Sequence, residues 1–161
     1  MNECLLKARA VLENVTPLKS NCGRLCGAAC CASLEGEETG MLLFPGEEKA
    51  YPFDTLRTLP DGRKLFVCSG SCERASRPLS CRLFPLLPVV RGGTVSVETD
   101  ARSAAVCPLC DEGLDSFSPA FLCAVREAGE ALLQDREQAS FLERLQAEQD
   151  ELLGLRKLFG G

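Results

Sequence analysis

The chain of 161 residues has no histidine and no tryptophan, a single tyrosine and two methionines. Without imidazole there is no Ser-His triad and no Cys-His nucleophile pair. Any bound metal must therefore be held by sulfur, helped at most by a carboxylate or an exogenous atom. Aromatics make up 6% of the residues, so bulky groups to fill a core are few. No apolar run approaches the roughly 20 residues that cross a bilayer. Met1–Val15 lacks the basic leader, long apolar run and small-residue cleavage site of a secretory signal. A formal net charge of −5 and a pI near 4.9 offer no basic face to nucleic acid. The only glycine-rich turn of note, Arg91-Gly92-Gly93-Thr94, lacks the pattern and the following helix of a phosphate loop. These absences describe a cytoplasmic protein with neither a nucleic-acid nor a membrane partner.

What the chain does have is sulfur. Nine of its 11 cysteines fall into three groups. Asn21–Ala32 (NCGRLCGAACCA) holds Cys22, Cys26, Cys30 and Cys31. The stretch CSGSCERASRPLSCR holds Cys68, Cys72 and Cys81, and CPLC holds Cys107 and Cys110. Cys4, beside an apolar stripe, reads as a small buried hydrophobe, and Cys123 reads as incidental to a later helix. Cytosolic thiols stay reduced, which makes disulfides the weaker account of the groups.

Thiolates are soft ligands that suit zinc, Cu(I) and iron–sulfur clusters. A site formed only on folding adds its binding energy to stability, which would offset the thin supply of core residues. The C-x2-C knuckle Cys107–Cys110 easily reaches the geometry of a zinc ion, whose sulfur bonds are about 2.3 Å. The wider C-x3-C steps, Cys22–Cys26–Cys30 and Cys68–Cys72, fit the larger footprint of an iron–sulfur cluster. An iron–sulfur cluster is thus favoured over zinc. Arg74, Arg77 and Arg82 bracket Cys81, where cations lower thiol pKa values and orient ligands. Pro78 turns the chain so that Cys81 swings back toward Cys68 and Cys72. Glu47 and Glu48, near a turn, read as solvated surface acids.

The remaining pattern predicts short elements. A first helix spans residues 2–14, with Leu5, Ala8, Val11 or Leu12, and Val15 on its apolar stripe. Residues 22–31 form either a short helix, with Cys22, Cys26 and Cys30 along one face, or a tight wrapped loop. A polar loop covers 34–40, a strand 41–44, an extended piece 49–53, a turn 59–63 and a strand 65–68. The clearest hairpin is 86–100, turning at Gly92-Gly93. Ser118 caps a helix that starts at Pro119, and a final helix covers 136–159. The fold class is α+β: a small, irregular, cysteine-rich and metal-stabilised domain with short β-hairpins and a helical C-terminal third. Residues 1–135 form the cysteine-cluster domain. Residues 136–161 form an amphipathic helix packed on it or on a partner protein.

Two blocks carry a resemblance. Cys26, Cys30 and Cys31 in CGAACC, preceded by Cys22, and Arg77, Pro78, Cys81, Arg82 and Phe84 in RPLSCRLF, resemble the YkgJ-type cysteine-cluster family of zinc- or iron-chelating proteins. Cys68 or Cys72 fills the looser position between them. The first block carries one extra residue between Gly27 and Cys30, and the aromatic often found before the RP pair is absent. The resemblance covers residues 21–85 and implies metal chelation. Related protein-lysine methylases carry a similar block. Three functions follow as expectations. One is a metal-binding protein with a structural, redox or metal-handling role. The others are a cluster-dependent modifying enzyme of methylase type, and a metal-stapled interaction module whose final helix does the binding.

Overall fold

Asn2 opens the first helix, α1 (Glu3–Val11), by accepting the Leu5 amide on its Oδ1 at 2.9 Å. The structure, a computed structural model, describes residues 1–32, 39–70 and 72–159. Leu5, Ala8 and Leu12 are fully buried on the face of α1 that packs on a later helix, α4 (Pro119–Leu132). α1 ends three residues short of the predicted Asn14. The Arg74 guanidinium donates to the carbonyls of Leu12, Glu13 and Val15, which lie just beyond its end and have no helical partner. α4 begins as the sequence predicts. Ser118 Oγ accepts the Phe121 amide at 3.2 Å, Pro119 takes the first position, and Phe121, Val125, Ala128 and Leu132 face the core.

The predicted hairpin forms from β4 (Leu86–Arg91) and β5 (Thr94–Thr99), in antiparallel register from Leu86↔Thr99 to Arg91↔Thr94. Gly92 and Gly93 both take positive φ, 59° and 81°, as a twisted two-residue turn requires. Pro88 is tolerated within β4 because this sheet has only two strands, leaving each with a free edge. The hairpin lies against α4 at Gly129. A Cβ there would stand 2.6 Å from Pro88 Cβ and 2.9 Å from Val95 Cγ1, so only glycine lets helix and hairpin meet.

A second, smaller sheet contains β1 (Gly40–Leu42), β2 (Leu56–Thr58) and β3 (Lys64–Val67), in the antiparallel order β1-β3-β2. Of residues 49–53, Tyr51 and Pro52 have extended backbone, and 3-10 turns, Glu48–Ala50 and Phe53–Thr55, stand on either side of them in place of the continuous extended piece expected. The polar loop expected over 34–40 lies, apart from its last two residues, outside the described residues. The turn at 59–63 joins β2 to β3, with Gly62 at φ 85°.

The final helix, α5 (Arg136–Phe159), has the limits its pattern predicts. Phe141, Leu142 and Leu145 are buried in the core shared with α4 and β4. Amide side chains complete its docking. Gln138 Nε2 donates to Pro45 O at 2.8 Å, and Gln146 both accepts from Val90 N (2.7 Å) and donates to Val90 O (3.1 Å). Gln149 Oε1 accepts from Ala101 N at 3.1 Å. Beyond Gln149 the helix leaves the core, and Leu152, Leu155, Leu158 and Phe159 are exposed. The result is an α+β fold of small antiparallel sheets with a helical C-terminal third. Among the described residues no helix is long and apolar enough to cross a membrane.

Candidate metal centre

The first cysteine group does not form one helical stripe. α2 covers only Gly23–Cys26, after which Gly27 (φ 62°) and Ala28 (φ 57°) both enter the left-handed region. Such a conformation costs an alanine about 1–2 kcal/mol. The chain then winds into a 3-10 turn, Ala29–Cys31. This double reversal re-aims Cys30 and Cys31 relative to Cys22 and Cys26. The Cys30 and Cys31 sulfurs stand 4.0 Å apart.

The second group arrives on two supports. β3 delivers Cys68, whose amide donates to Thr39 O at 2.9 Å and whose Sγ lies 3.8 Å from Cys31 O. A short helix, α3 (Leu79–Leu83), carries Cys81. Glu47 fixes the start of this helix from a distance. Its Oε1 accepts the Leu79 amide at 2.9 Å and the Arg9 guanidinium at 2.5 Å, and its Oε2 accepts the Phe44 amide at 3.1 Å. The sequence places Glu47 on the solvated surface, whereas it is 0% exposed and ties α1, the chain after β1 and the start of α3 together. Burial pushes its carboxyl pKa up, and the Leu79 amide, Arg9 and the Phe44 amide pull it back down. A Glu preceded by a Pro-Gly turn gives no pattern from which that burial follows.

The three arginines divide their work. Arg74 binds the carbonyls that end α1. Arg82 donates to the carbonyls of Arg77 (3.2 Å), Arg9 (3.1 Å) and Ala75 (2.7 Å). Arg77 is the one turned to sulfur. Its charge bears on Cys31, Cys72 and Cys81. Its Nε is buried with no acceptor among the described residues. Spacing in the sequence treats the three alike, because it does not register which guanidinium finds a carbonyl.

Two adjoining cavities lie among these groups. The larger, about 460 Å³, is walled by Cys22, Cys30, Cys31, Cys68, Cys72 and Cys81, with all three arginines in its lining. The smaller, about 290 Å³, is walled by Cys22, Cys26, Cys30, Cys31 and Cys107. Eight of the nine sequence-predicted cysteines thus meet at this pair of cavities. The ninth, Cys110, sits on the 3-10 turn Pro108–Cys110, with its sulfur 2.9 Å from Ser103 Oγ and outside both linings. Cys123 is exposed on α4, away from them. All 11 cysteines are free thiols.

Crowding governs the electrostatics. Burial, then the neighbouring sulfurs, push Cys30 up to about 12. Cys81 is raised further by burial and by Cys72, Cys68 and Cys31, against the pull of Arg77. Cys22 and Cys31 are raised first by burial, and then by Cys26 and by Cys68 respectively. Cys110 is pushed up to about 11, again chiefly by burial. Sulfurs gathered this way stay protonated at neutral pH unless a cation offsets their mutual repulsion. Among the described residues no three Cys, Asp or Glu side chains stand close enough to grip an ion as they are oriented. The donor set nevertheless fits a thiophilic group. It supplies soft sulfurs from several chain segments, a guanidinium among them, and a buried N–H that lacks an acceptor. Compared with family models, curated proteins and solved structures, the chain matches none.

Proposed function

We propose that this protein binds an inorganic centre through its clustered thiolates in a reducing compartment, with an iron–sulfur cluster favoured over zinc. The observation that carries the reading is the meeting of cysteines from α2, the following turn, β3, α3 and the CPLC knuckle at two adjoining cavities. Size supports a cluster. Four sulfurs on one zinc stand about 3.8 Å apart and leave no void between them. The larger cavity here, about 460 Å³, has room for a cluster beside the six cysteines in its lining. When bound, a cluster would supply electron transfer or a Lewis-acid iron. The chain's own residues would hold it by sulfur, balance its charge with Arg77 and donate to it from Arg77 Nε. The similarity of the CGAACC and RPLSCRLF blocks to the YkgJ type agrees with chelation. Anaerobic purification with iron, sulfide and zinc analysis and a visible spectrum tests the reading. Iron and sulfide in equal amounts, with broad visible absorbance, are expected of a cluster. Colourless protein with stoichiometric zinc would leave chelation standing and remove the cluster.

A second reading is a cluster-dependent modifying enzyme. Its support is the part of the larger cavity walled by Thr16, Lys19, Ser20 and Asn21, which leaves room for a small molecule beside the sulfurs. Titration calorimetry of the metal-loaded protein with S-adenosylmethionine distinguishes it, since a purely structural centre releases no heat. The exposed end of α5 supports protein contact, and a second copy of the chain fits it. Two such helices laid antiparallel would bring Arg156 and Lys157 of one toward Glu151 of the other, around Leu152 and Leu155. Sedimentation should then report a dimer that Leu155→Lys dissociates. A monomer at all concentrations would exclude that contact.

A further inference from the structure

We infer that the cysteines form two separate metal centres, divided between Cys30 and Cys31. This rests on the metal-binding reading above and goes beyond it by fixing the number of centres and assigning their ligands.

Three cysteines line the larger cavity alone: Cys68, Cys72 and Cys81. Each interacts electrostatically with Cys31, and Cys81 also with Cys68 and Cys72. The Cys68 sulfur also rests on the Cys31 carbonyl at 3.8 Å. Cys31, Cys68, Cys72 and Cys81 therefore make one set of four. Two cysteines line the smaller cavity alone, Cys26 and Cys107. Both interact with Cys22, and Cys30, which lines both cavities, interacts with Cys22 and Cys26 as well as with its neighbour Cys31. Cys22, Cys26, Cys30 and Cys107 make the second set. Four thiolates are the complement that either a single zinc or a four-iron cluster takes.

The backbone gives the division its cause. The consecutive left-handed residues Gly27 and Ala28 reverse the chain just before Cys30 and Cys31. The dipeptide is thereby presented at the wall common to the two cavities, which Cys22, Arg77 and Phe84 also line. At a shared wall the two cysteines can serve one centre each, Cys31 on the side where the Cys68 sulfur meets its carbonyl. Arg77 lies at the same wall, and its charge reaches Cys22 on one side and Cys31, Cys72 and Cys81 on the other. One guanidinium thus offsets negative charge at both centres. Cys110, held against Ser103, belongs to neither set.

The test is anaerobic reconstitution of the full chain with ferrous iron and sulfide, and separately with zinc alone, followed by metal analysis per chain. Wild type is expected to take up two equal portions of metal. Cys26→Ser and Cys72→Ser should each lose one half, and the double variant should lose all of it. Cys110→Ser and the exposed Cys123→Ser should keep both portions. Because Cys81 sits within α3, Cys72→Ser is the better probe of its set, with far-UV circular dichroism reporting folding. Two portions with additive losses support the division. A wild type that saturates with one centre, or single variants that each lose all metal while still folded, overturns it and leaves the metal-binding reading intact. A wild type that takes up no metal overturns both.

Discussion

Replacing Glu47 perturbs the structure at the point where three segments meet. Glu47→Ala removes a carboxylate that is 0% exposed and strands three donors: the Arg9 guanidinium and the amides of Phe44 and Leu79. Breaking a buried pair by deleting one partner costs about 3–5 kcal/mol, because the other charge stays buried. Each orphaned amide alone would add about 1–3 kcal/mol, but the three share one group and do not add fully. A loss of about 4 kcal/mol is expected, out of a typical total of about 5–15. At about 2–4 °C per kcal/mol for a chain of this size, Tm should fall by about 8–16 °C. Glu47→Gln keeps one acceptor oxygen and should lose about half as much. In a double-mutant cycle, adding Arg9→Ala to Glu47→Ala should cost little more, since its partner is already gone. Urea unfolding followed by circular dichroism under reducing, anaerobic conditions provides the numbers. Leu79 is the first residue of α3 and Cys81 lies two residues on, so metal content should fall at the same time. An alanine variant within 1 kcal/mol of wild type, or fully additive Arg9 and Glu47 effects, would refute this account of Glu47 as a buried anchor.

Other perturbations separate structural from metal-facing roles. Gly129→Ala should destabilise, since overpacking against Pro88 costs about 1–3 kcal/mol and outweighs the roughly 1 kcal/mol gain in helix propensity. Gly154→Ala, whose Cβ would meet nothing within 4 Å, should instead gain up to about 1 kcal/mol. Thermal melts of the pair should therefore move in opposite directions. Arg74→Lys should lower Tm nearly as far as Arg74→Ala, because a single ammonium does not reproduce a fork bound to three carbonyls. Arg77→Gln should leave the reduced, metal-free melt almost unchanged and weaken metal retention against a chelator. The pH dependence has a definite sign. Hydrogen bonds from Arg91 hold the Glu98 and Asp150 carboxyls below their ordinary values of 4.5 and 3.8. Their contribution is present above those values and lost as pH falls through the lower folded values. Tm should drop more steeply on acidification below pH 4.5 in wild type than in Arg91→Gln, and 0.5 M salt should narrow the difference.

The sequence by itself determined those elements whose signals are local. Helix α5, the Gly92-Gly93 hairpin and the Ser118-Pro119 helix start were legible because caps, turns and periodicity act within a few residues. The absence of histidine and the three cysteine groups set the chemistry of the candidate site before any geometry was known. Tertiary structure decided the rest. Spacing left residues 22–31 as either a helix with Cys22, Cys26 and Cys30 on one stripe or a tight wrapped loop, and the left-handed pair Gly27-Ala28 decided against the single stripe. Nothing in an alanine's identity announces a positive φ. Nor does the sequence distinguish the Arg77 that reaches sulfur from the Arg74 and Arg82 that close backbone carbonyls. It does not reveal that Glu47 is buried where three segments meet. Such choices depend on which groups remain without partners once the segments have come together, and that is a property of the assembled chain.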